Sequence, residues 1–312
     1  MSQSVIGSHK FDLDTPILCI DLDIMEANIQ KMSDYILSRG KTWRPHEKCH
    51  KTPAIALAQM GAGAIGVTCA KVSEAEVMAA AGVKDILIAN MIVGKTKWER
   101  VVSLCRHARP IIACDHYAQI EPLAKMCADA GVVCRMMPEV NIGLNRVGSR
   151  PGQDTLDLAM AIDKLEGVEL AGIMGYEGHL LQIQDQAEKE EKIIEAMRTL
   201  VGCKTTIEAK GIPCEIVSAG GTGSYQITSN CEGITELQAG GGIFADPMYV
   251  NKCGLTGLDY SLSVLATVVS RPEKGRMVLD CGRKTMHPDF QLPLVKAWPD
   301  AEVTALSAEH CA

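Results

Sequence analysis

Short apolar segments alternate with amphipathic segments of helical length through most of this chain, and that alternation restricts the fold more than any other feature. Strand candidates are Trp43–Arg44, Ile65–Cys69, Asp85–Ala89, Pro110–Cys114, Val132–Val140, Leu170–Met174, Glu215–Ser218 and Ile234–Leu237. Helical stretches such as Thr52–Met60, Val72–Ala81, Ala118–Ala130, Gln153–Leu165 and Ala187–Lys210 lie between them. Gly or Pro marks the joins from helix to strand, as in Ala81-Gly82-Val83 and Lys210-Gly211-Ile212-Pro213, where helices stop. Strands separated by helices in this way run parallel and are joined by crossovers. About eight such units precede residue 250, which suits a closed (β/α)8 barrel of the TIM type better than an open sheet.

The two ends read differently. Pro16–Asp21 is a strand ahead of the first barrel helix, Ile24–Ser38, and beyond residue 255 the helical pattern stops. Leu262–Ser270 and Arg276–Asp280 read as successive strands. The expectation is an α/β protein with its barrel over residues 24–250. A β domain, built from the N-terminal strand (1–23) and the C-terminal segment (251–312), accompanies it and looks incomplete at its C-terminal end.

Bulk properties exclude several classes. The 312 residues are 47% hydrophobic and 22% charged, which is globular rather than disordered composition. A net charge of -7 with scattered Lys and Arg offers no basic stripe to nucleic acid and no basic patch to an anionic membrane. The opening MSQSVIGSHKFDLD lacks an apolar core behind positive charge, so it is not read as a secretory signal. No apolar run reaches the roughly 18 residues of a spanning helix. The 13 cysteines contain no CxxC pair, and several sit inside apolar runs. There they act as small hydrophobes, and they are expected to be reduced thiols in a cytoplasmic protein.

Four loops carry the chemistry. Arg44-Pro45-His46-Glu47-Lys48-Cys49-His50-Lys51 joins a strand to a helix opening at Thr52-Pro53, and catalytic groups gather at the C-terminal ends of barrel strands. Ser218-Ala219-Gly220-Gly221-Thr222-Gly223-Ser224-Tyr225 follows a later strand, and the next strand ends in Gln238-Ala239-Gly240-Gly241-Gly242. Paired glycine loops let backbone N–H groups converge on an anion, and phosphate sites after the seventh and eighth strands recur in barrels. No Lys follows these glycines, so the motif is not a Walker loop. Glu139–Gly148 carries Arg146 between glycines, and Gly175-Tyr176-Glu177-Gly178-His179 ends the next strand. A competing motif, Gly61-Ala62-Gly63-Ala64-Ile65-Gly66, matches GxGxxG but follows a helix and leads into a strand. A dinucleotide fold needs the reverse order.

These segments together resemble the D-threonine aldolase and D-serine dehydratase group of alanine-racemase-like pyridoxal-phosphate enzymes. The likeness runs through DTPILCIDLDIMEANI, RPHEKCHK, GVTCAKVSEAE, KDILIANMIVG, EVNIGLNRVG, GYEGH, SAGGTGSY, TELQAGG and LDCGRK. It implies a (β/α)8 barrel that binds pyridoxal 5'-phosphate, with Lys48 as the Schiff-base lysine and Arg146 near the cofactor's phenolic oxygen. His46 joins the cofactor-binding set. Gly221, Thr222, Gly223, Gly241 and Gly242 are implied to hold the phosphate, and Gln238 to face the pyridine nitrogen. His179 and Tyr176 are the candidates for proton transfer at the substrate's β-hydroxyl. A working lysine must be partly neutral, and Arg44, His46 and His50 are the neighbours expected to depress its pKa.

Two departures from the family pattern stand out. Its His-x-Cys or His-x-Asp metal pair has no counterpart in these 312 residues, and Ala308-Glu309-His310-Cys311 instead resembles the SEEHG element that precedes that pair. No metal ligand is therefore assigned, and a divalent ion enters only if the chain continues past residue 312. The aldolases also place a histidine six residues after the tyrosine of GYEG, where this chain has Gln182. The expected activity is a lyase acting on a D-3-hydroxy amino acid, by aldol cleavage or dehydration. An amino-acid racemase and a non-catalytic pyridoxal-phosphate binder are the alternatives. A homodimer with a small amino-acid substrate, and neither nucleic acid nor membrane as partner, completes the expectation.

Overall fold

A computed structural model describes residues 5–287, 291–296 and 298–312. Eight parallel strands form the barrel: Thr42–Trp43, Val67–Cys69, Asp85–Ile88, Arg109–Cys114, Cys134–Pro138, the broken pair Val168–Leu170 and Gly172–Met174, Ile216–Ala219, and Glu236–Leu237. The second to sixth strands pair in sequence order, and the sixth, seventh, eighth and first continue the ring. Parallel bridges His46↔Thr68 and Glu139↔Met174 close the two seams.

Glycines sit where strands press together. A Cβ on Gly172 (φ +149) would lie 2.0 Å from the Ile216 carbonyl oxygen, so only glycine lets the sixth strand pass the seventh at that point. The GxGxxG-like run resolves the same way. It spans the end of helix Pro53–Gly61 and the entry to the second strand, and a Cβ on Gly66 would sit 2.0 Å from the Asp85 carbonyl oxygen. Its last glycine serves barrel packing.

The helices follow the apolar period. Helix Leu22–Leu37 starts on the Asp21 side chain, which accepts from the Ile24 N–H at 3.3 Å, and buries Met25, Ile29, Met32 and Ile36. Spacings of three and four place those four side chains on one face. Across the barrel strands a charged chain runs in addition to the apolar cluster of Leu87, Ile111, Ala113, Met137 and Met174. Arg44 meets Glu236 at 2.9 Å and Asp85 at 2.6 Å, and Arg135 meets Asp85 at 3.1 Å. Ser218 donates to Glu236 at 2.7 Å, and Gln238 donates to Ser218 at 2.9 Å. Mutual pairing makes such burial tolerable.

At the ends, Ile17–Ile20 pairs antiparallel with Leu262–Leu265. The single strand expected over Leu262–Ser270 is in fact two. The second, Val268–Glu273, leaves to form a hairpin with Arg276–Leu279. The break falls at Thr267, whose N–H is taken by the Asp280 side chain at 2.8 Å instead of a strand partner. No helix among the described residues is long and apolar enough to cross a membrane.

Candidate active site

The first barrel strand delivers Lys48 to the barrel mouth through a single turn of 3-10 helix, Glu47–Cys49. His46 caps that turn, its Nδ1 accepting from the Lys48 N–H at 3.4 Å. Burial, and next the Lys48 charge, push the His46 imidazole down to about 3, so the ring is neutral and serves as an acceptor. Lys48 is exposed as a residue at the rim. The surrounding walls nonetheless lower its pKa, through desolvation first and the Arg146 charge second. The expected neighbours are corrected here. The Arg44 side chain points into the barrel interior, paired with Glu236 and Asp85. His50 turns its Nδ1 to the Thr52 N–H at 3.0 Å. None of Arg44, His46 and His50 is among the causes of the Lys48 shift.

Lys48, Arg146 and Tyr176 come together. Lys48 Nζ lies 5.9 Å from the Tyr176 ring centroid, and Arg146 Cζ lies 5.7 Å from the same centroid. Burial, then the Glu177 carboxylate, raise the Tyr176 phenol, which keeps it protonated. Arg146 NH2 is 3.8 Å from the buried Glu139 carboxylate. Burial pushes that carboxyl up to about 7, against the lowering effect of Arg146. His179 is exposed, and its Nε2 lies where a Cβ on Gly143 would approach to 2.6 Å. It bridges the loops after the fifth and sixth strands. Desolvation lowers its pKa, which favours a neutral imidazole able to accept a proton.

The glycine loops form one structure. The Gly241 N–H donates to the Thr222 hydroxyl at 2.9 Å, tying the loop after the seventh strand to the loop after the eighth. The amides of Thr222 and Gly223 have no acceptor among the described residues. A Cβ on Gly221 would lie 2.7 Å from Tyr176 Cε2, and one on Gly241 would meet Thr222 Oγ1 and the Tyr249 ring, each at 3.2 Å. Glycine keeps this cradle open, and unpaired amides in it suit a phosphate. A Cβ on Gly242 would meet Met32 Sδ at 2.6 Å, so glycine lets this loop pack closely on helix Leu22–Leu37. Gln238 spends its side-chain N–H on Ser218.

Three further participants are not among the candidate site residues, although Glu139 and Glu177 lie in the motifs already noted. Glu177 is buried, and its Oε1 accepts from Ser224 at 2.6 Å and Thr228 at 2.7 Å, bracing the glycine loop. Glu139 and Tyr249 also reach the site only through the fold. Among the described residues no three His, Cys, Asp or Glu side chains converge as metal ligands. His310 is exposed while Cys311 is buried, as neighbours on an extended chain must be. The described residues alone do not compose a metal centre.

Comparison with known proteins decides the family. Residues 20–247 match the alanine racemase N-terminal domain, and residues 261–312 match a putative serine dehydratase domain. Over 306 residues the chain is 35% identical to D-threonine aldolase from Arthrobacter sp, covering 97% of this chain and 81% of that one. The chain belongs to the D-threonine aldolase-like family of the alanine racemase fold. A crystal structure of D-threonine aldolase from Filomicrobium marinum superposes with a TM-score of 0.93 at 36% identity, covering 96% of this chain and 81% of the other. D-threo-3-hydroxyaspartate dehydratase from Delftia sp. is 32% identical over 285 residues, 89% of this chain and 73% of the relative. The fold of this D-threonine aldolase-like chain is accordingly a TIM-type barrel with a strand-rich C-terminal part.

Proposed function

We propose that this chain is a pyridoxal-phosphate lyase that cleaves or dehydrates a D-3-hydroxy amino acid. The observation that carries the reading is the convergence of Lys48 and Arg146 on the Tyr176 ring, with Tyr176 itself packed against Gly221 of the glycine cradle. One ring thus links an amine whose pKa is lowered to a loop with unpaired amides. The relatives named above are an aldolase and a dehydratase by name, and both reactions break a bond at the hydroxyl-bearing Cβ beside an amino-acid Cα.

Pyridoxal phosphate, when bound, supplies the sink for the electron pair left at Cα. The chain's residues divide the remaining work. Lys48, partly neutral, attaches the cofactor. Thr222, Gly223 and Gly241 hold the phosphate, with Gly221 and Gly242 giving the backbone its course. Arg146, steadied by Glu139, favours negative charge beside Lys48. Gln238 and the neutral His46 line the rest of the cofactor site. In aldol cleavage His179 accepts the β-hydroxyl proton as the Cα–Cβ bond breaks; in dehydration the Lys48 amine accepts the Cα proton and the protonated Tyr176 donates to the leaving hydroxyl.

Incubation with D-threonine and with D-serine tests the proposal. Acetaldehyde with glycine marks aldol cleavage, and pyruvate with ammonia marks dehydration. A protein that binds cofactor yet forms neither product, or only racemises its amino acid, contradicts it. The proposal includes a barrel unit over residues 24–250, a β unit from 1–23 and 251–312, and a cytoplasmic homodimer. Exposed Leu18, Leu22 and Leu262 beside the terminal strand pair support the dimer.

A further inference from the structure

Helix Gln186–Glu208 buries a charge in its apolar stripe. Ile193, Ala196, Met197 and Leu200 face the barrel, and Lys189 falls on the same face, where the period asks for an apolar residue. Its side chain is 1% exposed. Its Nζ donates to the Gly223 carbonyl oxygen at 2.9 Å and to the Cys253 carbonyl oxygen at 2.6 Å. Removing an ammonium from water is costly, and a methionine would fill the stripe without that cost. Something other than packing accounts for the charge.

The two carbonyls show what it does. Holding the Gly223 oxygen fixes the plane of the Gly223–Ser224 peptide, because the peptide unit is rigid. The Gly221 carbonyl holds the Ser224 and Tyr225 amides at 3.1 and 2.9 Å. Between these anchors lie the unpaired amides of Thr222 and Gly223. The Cys253 carbonyl ends helix Pro247–Cys253, which carries Tyr249 against Gly241. A single ammonium therefore clamps the glycine loop to the helix beside it. Across the loop, Glu177 accepts from Ser224 and Thr228 through Oε1, while its buried Oε2 has no partner.

We propose that Lys189 is a positioning residue for the cofactor's phosphate. It locks the glycine loop in its phosphate-receiving shape from behind and adds a buried positive charge that favours a dianion on the loop. Glu177 opposes that charge while bracing the same loop. The inference rests on the reading of the Thr222–Gly223 loop as a phosphate site.

The test compares pyridoxal 5'-phosphate with unphosphorylated pyridoxal, titrated into the 312-residue chain and followed by absorbance, with inorganic phosphate as competitor. Lys189→Met is expected to weaken pyridoxal-phosphate binding about tenfold, equivalent to roughly 1.4 kcal/mol. Competition by inorganic phosphate weakens in parallel, pyridoxal binding stays as in the wild type, and Lys189→Arg recovers part of the loss. A Lys189→Met protein that keeps the wild-type ratio of the two affinities overturns the inference, whatever its melting temperature. Glu177→Gln gives a second reading should Lys189→Met not fold. It keeps an oxygen for Ser224 and Thr228 but removes the opposing charge, so phosphate competition should strengthen several-fold; unchanged or weaker competition overturns the electrostatic role. A wild-type protein that binds both aldehydes equally overturns the phosphate site itself, and this inference with it.

Discussion

Lys48 Nζ and the Tyr176 ring face each other across the barrel mouth at 5.9 Å. Arg146 occupies the same ring's surroundings at 5.7 Å, and its charge is the second cause of the lowered Lys48 pKa after burial. Replacing Arg146 by Gln removes that cause, so the Lys48 pKa rises and less neutral amine exists at neutral pH. The rate of cofactor capture, followed by absorbance across a pH series, should have its midpoint at higher pH in Arg146→Gln than in the wild type. An unmoved midpoint would separate Arg146 from the lysine.

The cradle makes a steric prediction. A side chain at Gly221 meets Tyr176 Cε2 at 2.7 Å and its hydroxyl at 3.0 Å. Gly221→Val should displace the ring, disturb the loop amides and weaken cofactor binding by on the order of 1–3 kcal/mol, the cost of donors left unpaired. Equilibrium titration with pyridoxal phosphate measures it. Unchanged affinity would remove this loop from the site.

Glu47 predicts a pH dependence of stability. It is fully buried beside Lys48, neither carboxylate oxygen has a partner, and burial is the largest cause pushing its pKa from 4.5 up to about 7. Between those values the folded chain keeps a proton that the unfolded chain has lost. Stability present below pH 4.5 is therefore given up as pH rises through about 7. Glu47→Gln lacks this titration, so urea unfolding at pH 8 relative to the acidic side of the window should favour the variant by roughly 1–3 kcal/mol. A constant difference between the two proteins across that range would mean Glu47 titrates normally.

Metal dependence gives a fourth prediction. With no set of three ligands among the described residues, turnover of D-threonine or D-serine by this 312-residue chain should not rise with added manganese or zinc and should not fall with a chelator. Full, metal-stimulated turnover would show that ligands have been overlooked.

Much of this was legible in the sequence because barrel strands and glycine loops are local signals. The alternation of apolar and amphipathic segments located all eight strands, and RPHEKCHK and SAGGTGSY lie on the mouth where strand ends must be. What stayed hidden depends on side-chain direction across strands. Arg44 reads as part of the basic cluster, yet the strand's pleat turns it inward to Glu236 and Asp85. Lys189 reads as one more charge in QAEKEEK, and only the helix's placement reveals it as buried. Glu139 and Glu177 sit in motifs noted for their neighbours; Glu177 gains its role from Ser224 and Thr228, far along the chain, and Glu139 from the loop that folds Arg146 back on it. The split at Thr267 follows from the Asp280 carboxylate, a contact that no periodicity records.

The assignment of Lys48 is tested most directly by covalent trapping. The protein is incubated with pyridoxal phosphate, reduced with borohydride, digested and mapped by mass spectrometry. The label should fall on Lys48, and Lys48→Ala should lose both the label and the visible absorbance. Labelling of Lys51 or Lys71 in its place would contradict the account.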